Sequence, residues 1–224
     1  MKLKTFIAAA ATVGLTTGSA YVNADNAASS YVMPAVIGAQ AVQAGVASTE
    51  GWTKVLSTEL KNSGTPKDLV IGLSFETMLY TDTSVKSKGG DKSTSTANAE
   101  INMKVYVDGE LAVPGEVTFD KREQTLWAKL GGIMDCQDYN LDTIITFDEC
   151  TFTEEEIGLI LDTKSAHTFN FLANNIGSGS HTIEAYAQLV ADGAVVEGSG
   201  SHNESAALGK GTLSVFEVQD SVTN

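Results

Sequence analysis

The stretch AHTFNFLANNIGSGSHTIEAYAQLV, Ala166–Val190, reads as two β-strands joined by a Gly/Ser-rich turn. In its second half Ile183, Ala185, Ala187 and Leu189 fall on one face, with Thr182, Glu184, Tyr186 and Gln188 on the other. That period of two is the signature of a half-buried antiparallel strand. Leu69–Tyr80 (LVIGLSFETMLY) repeats it, setting Leu69, Ile71, Leu73, Phe75 and Leu79 against Gly72, Ser74 and Glu76. Ile101–Val107 alternates again and ends at Asp108-Gly109, a strong two-residue hairpin signal. Trp52–Leu60, Leu111–Val113, Glu116–Phe119, Thr125–Leu130 and Gly211–Val218 supply further strands, with Trp127 expected to pack over the sheet.

Between these runs, Thr81–Asn98 is rich in Ser, Thr and Lys and carries Gly89-Gly90, so an exposed excursion is expected there. Glu197–Ser205 reads as a Gly/Ser-rich loop. Thr153–Leu161 (TEEEIGLIL) is the one expected helix, with Thr153 and Glu156 spaced as a capping box. The expected fold is all-β, a single antiparallel β-sandwich of Ig-like or jelly-roll type with one short helix near 153–161.

The first residues have the pattern of an export signal. Lys2 and Lys4 precede a short apolar run, Phe6–Leu15, and Val22-Asn23-Ala24 offers small residues for cleavage. The expected organisation is a signal peptide over 1–24, an extended N-terminal arm over 25–48 and a sandwich domain over 49–224. The arm's apolar patch Tyr31–Ile37 (YVMPAVI) suits a strand of its own domain, or one donated to a neighbouring molecule. Residues 1–24 hold two of the 14 bases and none of the 28 acids, so the remainder carries 12 bases against 28 acids, a net charge of −16. A surface that negative disfavours nucleic acid and anionic membrane as partners. No segment is long and apolar enough to span a bilayer as a helix. The location implied is extracellular or periplasmic, where Cys136 and Cys150, the only cysteines, are expected to pair.

Among sites, the loop closed by those cysteines has the sharpest pattern. Asp138, Asn140 and Asp142 fall at positions 1, 3 and 5 of a twelve-residue calcium loop, and Glu149 falls at position 12. Position 6, where the sharp turn wants Gly, is Thr143, and the alternative is an acidic hairpin with solvated carboxylates. No other cofactor is indicated. Tyr106 and Tyr186 alternate to the outer side of their strands and make a candidate glycan-stacking face, to which Trp52, Tyr80 and Trp127 are further aromatic candidates. His167, His181 and His202 lack metal-ligand spacing, and His167 and His181 flank the Ala166–Val190 hairpin. Ser178 and Ser180 in GSGSH sit in a hairpin turn rather than at a nucleophile elbow. Asn203-Glu204-Ser205 matches a glycosylation sequon.

Four stretches resemble a family of small secreted β-sandwich proteins of unknown function: LVIGLSFETMLYTDT (Leu69–Thr83), PGEVTFDKREQTL (Pro114–Leu126), LDTKSAHTFNF (Leu161–Phe171) and GKGTLSVFEV (Gly209–Val218). GSHTIEAYA is similar to the late hairpin of bacterial Ig-like modules. The resemblance implies a fold and, with no activity assigned to the family, transfers no functional residue. The expected function is non-catalytic: extracellular binding or assembly, through self-association or a cell-surface or matrix partner. A carbohydrate-binding module is the first alternative, and an extracellular hydrolase built on spatially paired carboxylates the second.

Overall fold

The computed structural model describes residues 18–20, 27–32, 37–40, 51–62, 64, 66–132, 134–138 and 144–218. The strands in chain order are β1 (Gly18–Ala20), β2 (Ala27–Val32), β3 (Ile37–Gln40), β4 (Thr53–Asn62), β5 (Lys67–Lys88), β6 (Lys92–Val107), β7 (Glu110–Leu111), β8 (Val117–Lys129), β9 (Met134–Cys136), β10 (Cys150–Phe152), β11 (Glu154–Ile176), β12 (Gly179–Glu197) and β13 (Ser199–Val218). One antiparallel sheet runs β1-β2-β13-β5-β11, with β3 also on β13. The other runs β4-β12-β6, and β6 also carries β7 and β8. The apolar core between them includes Leu69, Ile71, Leu73 and Phe75 of β5, Ile101, Met103 and Val105 of β6, Ile183 of β12 and Leu213 of β13. The hairpin that began the sequence reading is β11–β12, its two strands lying in opposite sheets, so that it folds over the core rather than pairing with itself.

Several sequence expectations are overturned. The helix over 153–161 is a strand: Glu154–Leu161 pairs residue for residue with Lys88–Thr81 of β5. The capping-box spacing is a local preference, whereas the ladder satisfies the backbone groups that β11 turns toward β5, unbroken from Glu154 to Ala173. Lys86 meets Glu154 at 3.2 Å and Glu156 at 3.9 Å across it, so the acidic run belongs to a cross-strand charge pattern.

Thr81–Asn98 is not an excursion either. It finishes β5 and starts β6, with only a tight turn at Gly89–Gly90 between. The period of two simply continues through polar residues: Thr77, Thr81, Thr83 and Ser87 of β5, and Ser93 and Ser95 of β6, are buried in line with the apolar face. Likewise Glu197–Ser205 is the turn at Gly198 plus the start of β13. The interior therefore changes character along its length, apolar at the end bearing the Asp108–Gly109 turn and hydroxyl-rich at the end bearing Gly89–Gly90 and Gly198.

The arm contributes β2 and β3, which pair with Gly211–Phe216 and Ser205–Leu208 of β13. Most of the expected signal segment lies outside the described residues; its Gly18–Ala20 pairs with β2. Trp127, expected over the sheet, is exposed on the outer side of β8.

Candidate functional site

The cysteines pair as expected. Cys136 and Cys150 sit opposite each other in β9–β10 and are joined by a disulfide. Within the loop they close, Glu149 is buried, and its Oε2 accepts hydrogen bonds from the Thr146 amide (2.9 Å) and hydroxyl (3.1 Å). That makes Glu149 the capping carboxylate of a short 3-10 turn, Phe147–Glu149, directed at its own backbone. Asn140 and Asp142 lie outside the described residues, and Asp138 stands at the rim of the described part. Among the described residues no three acidic, His or Cys side chains converge as metal ligands.

Tyr106 and Tyr186 are brought together on the outer face of the β4-β12-β6 sheet, their rings 5.5 Å apart and edge to face. Adjacent strands supply a cation to this cluster: the Lys104 ammonium lies 3.9 Å from the centre of the Trp52 ring and 5.6 Å from that of Tyr106. Glu184 accepts from Lys54 (2.9 Å) and from the Tyr186 hydroxyl (3.2 Å). Burial and the Glu184 carboxylate push the Tyr186 phenol up. The face is a joined aromatic and charged patch, with one side of Trp52 occupied by Lys104.

The three histidines stand apart, each beside a carboxylate. His181 Nδ1 lies 2.6 Å from Asp108 Oδ2, and its Nε2 lies 3.0 Å from the Gly177 carbonyl. Both ring nitrogens face acceptors, an arrangement that the doubly protonated imidazolium satisfies at both positions and a neutral ring at one. The Asp108 hydrogen bond raises its pKa against the opposing effect of burial. Burial opposes the Asp108 charge, but the His181 hydrogen bond and the Thr182 amide outweigh it and hold that carboxyl below its ordinary range. The pair locks the β6–β7 turn to the start of β12.

His167 Nε2 approaches both Ser165 Oγ (2.9 Å) and Asp120 Oδ2 (3.3 Å). A relay would need the hydroxyl and the carboxylate on different ring nitrogens, so these three residues do not form a nucleophile triad. Thr77 completes the cluster, its hydroxyl 2.6 Å from Asp120. Ser178 lies in the β11–β12 connection and Ser180 in the exposed start of β12; because those strands lie in opposite sheets, the expected hairpin turn is a crossover between sheets.

His202 Nδ1 is 3.1 Å from both oxygens of Glu204, a fully buried carboxylate that burial pushes up in pKa. On β5 beside them, the Thr81 hydroxyl donates to Gln124 Oε1 at 2.9 Å, and Gln124 Nε2 donates to Thr83 Oγ1 and to the Leu159 carbonyl. Sequence reading missed Glu204 and Gln124. The available signal was parity: Thr81 and Thr83 carry the Leu69 face onward, which makes that face an interior needing polar partners.

Sequence reading also missed the edge formed by β11. Ile157, Leu159, Ile160 and Leu161 are all exposed, with Ile160 at 61%. Among the described residues β11 pairs only with β5, apart from a bridge in which Leu172 exchanges both backbone hydrogen bonds with Val113 at 2.8 Å. The bridge shows that Leu172 turns its N–H and C=O to the open edge. The β11 register is unbroken from Glu154 to Ala173, so the other even-numbered residues, Ile160 among them, turn theirs the same way.

No protein-family model matches the chain, and no curated protein matches it. No helix among the described residues is long and apolar enough to cross a membrane.

Proposed function

We propose that the protein is an exported, non-catalytic β-sandwich module that works by pairing with copies of itself outside the cytoplasm. The observation that carries this reading is the open edge of β11, a long apolar strand edge of the kind that templates pairing with another chain. The disulfide and the acidic composition suit an oxidising exterior.

The sequence of the edge selects a partner, a second copy of the same strand. A two-fold antiparallel pairing centred on Ile160 puts Ile160 opposite itself and Leu159 opposite Leu161. The same register sets Glu156 opposite Lys164 twice, once on each side of the axis. Because the even-numbered residues hold the open backbone groups, this register also satisfies them as hydrogen-bonded pairs.

Ile160→Pro tests the reading. Its N–H faces the open edge, so proline removes no hydrogen bond within the chain and the fold should melt normally. By light scattering the wild type should be dimeric at micromolar concentration and Ile160→Pro monomeric. A monomeric wild type, or an Ile160→Pro dimer of unchanged affinity, would sink the proposal. Glycan binding at Tyr106 and Tyr186 is the second reading, supported by the adjacency of the two rings and Trp52, and retention on immobilised glycans separates it from the first.

A further inference from the structure

The hydroxyl-rich end of the sandwich holds one polar layer contributed by four strands. β5 supplies Thr81 and Thr83, β8 supplies Gln124, β13 supplies His202 and Glu204, and β12 supplies Gly193. Thr81, Thr83 and Glu204 have no solvent exposure and Gln124 almost none. His202 is the directly opposite cross-strand neighbour of Thr83, and Glu204 that of Thr81. Opposite residues on one face of a sheet keep their Cβ atoms about 5 Å apart. Gly193 matters by having no side chain: a Cβ there would fall 2.6 Å from His202 Nδ1 and 2.9 Å from Glu204 Oε2.

These residues are the parts of an acyl transfer. Gln124 offers a carboxamide carbon shielded from water. Thr81 donates to its oxygen, where negative charge would develop during attack. Thr83 Oγ1 lies against the carboxamide nitrogen and accepts a hydrogen bond from it, so its own hydrogen points elsewhere. Glu204 sits on Nδ1 of His202, which fixes the tautomer with hydrogen on Nδ1 and leaves Nε2 as a proton acceptor.

We propose that Thr83 and Gln124 join in an intramolecular ester that staples the two sheets, with His202, oriented by Glu204, carrying the proton. Thr83 Oγ forms a bond to Gln124 Cδ as its proton passes to His202 Nε2. The resulting oxyanion is held by the Thr81 hydroxyl. Collapse of this intermediate breaks the Cδ–Nε2 bond, the electron pair leaves on nitrogen, and His202 returns the proton so that ammonia departs. No oxidant or further reactant is required. Outside the site ammonia is diluted and protonated, which opposes the reverse reaction, and burial of the ester excludes the water that would hydrolyse it.

The staple lies where the sandwich has least apolar burial, and it stands independently of dimer formation at β11. Intact mass spectrometry of the folded wild type and of Thr83→Val, produced identically, tests it. After allowance for the disulfide, the wild type should be lighter than its composition by one ammonia, and Thr83→Val should have its full mass. Thr83→Ser retains the hydroxyl and should show the same deficit as wild type, which controls for any folding defect of Thr83→Val. Fragmentation should yield a branched peptide joining positions 83 and 124, and alkaline hydroxylamine should open it. In His202→Gln, still folded by its melting profile, the full-mass species should persist for longer after folding. A wild type of full mass, or a deficit that survives Thr83→Val, would overturn the proposal.

Discussion

At the scale of single residues, His181 and Asp108 show how the chain spends its few histidines. Two acceptors on one imidazole favour the charged ring, and a carboxylate beside it gains from the same contact. The consequence for stability has a definite sign. His181 has a raised pKa in the fold, so its contribution is complete below about pH 6.5, the ordinary histidine value, and fades as pH rises through the folded value. Asp108 has a lowered pKa, so its contribution is present above about pH 4 and fades as pH falls through the folded value. The melting temperature of the wild type should therefore drop between pH 6 and pH 9 by more than that of His181→Gln. Parallel profiles for the two proteins would contradict the assignment. His181 was visible in the sequence only as a histidine at a strand end. Its partner sits far away in the chain, in a turn that period and spacing located but could not bring alongside.

At the scale of elements, the contrast between β11 and the cysteine hairpin separates what a strand owes to its neighbours from what it owes to itself. Leu69–Tyr80, Ile101–Val107 and Thr182–Leu189 were legible because one apolar face announces its period without reference to any partner. Thr153–Leu161 was misread because its acids and leucines suit a helix locally, and only pairing with the polar half of β5 makes it a strand. That half was itself misread as loop, since its inward residues are Thr and Ser and their partners, Gln124, His202 and Glu204, lie on distant strands. Of the candidate sites, the disulfide was readable from cysteine number alone, and the Tyr106–Tyr186 pair from strand parity. Among the described residues the β9–β10 hairpin pairs with no strand of either sheet, and Phe152 packs against Gly89 and Gly132 where it meets them. Its disulfide should consequently stabilise the loop rather than the sandwich. In the double variant Cys136→Ser/Cys150→Ser, chymotrypsin should cut at the exposed Phe147 roughly a hundredfold faster, matching loss of about 3 kcal/mol of local closure. The melting midpoint of the sheets should move little. A large fall in that midpoint would show that the hairpin supports the core.

At the scale of the whole molecule, charge and edge chemistry oppose each other. Two copies of net charge −14 repel, whereas apolar edge pairing attracts. Salt screens the first and leaves the second, so dimer affinity should rise by about tenfold between dilute buffer and ordinary physiological ionic strength. Sedimentation or light scattering across a salt series measures this, and affinity that falls with salt would mean that the contact is electrostatic. The division of the interior into an apolar end and a hydroxyl end reaches further, into how the molecule responds to temperature. Exposing apolar surface raises the heat capacity of the unfolded chain, and exposing polar surface lowers it. Opening the Thr81–Thr83–Ser95 end therefore cancels part of the increment contributed by the Leu69–Phe75 end. The curve of stability against temperature is flattened accordingly, and the fold tolerates chilling better than a uniformly oily sandwich of the same size.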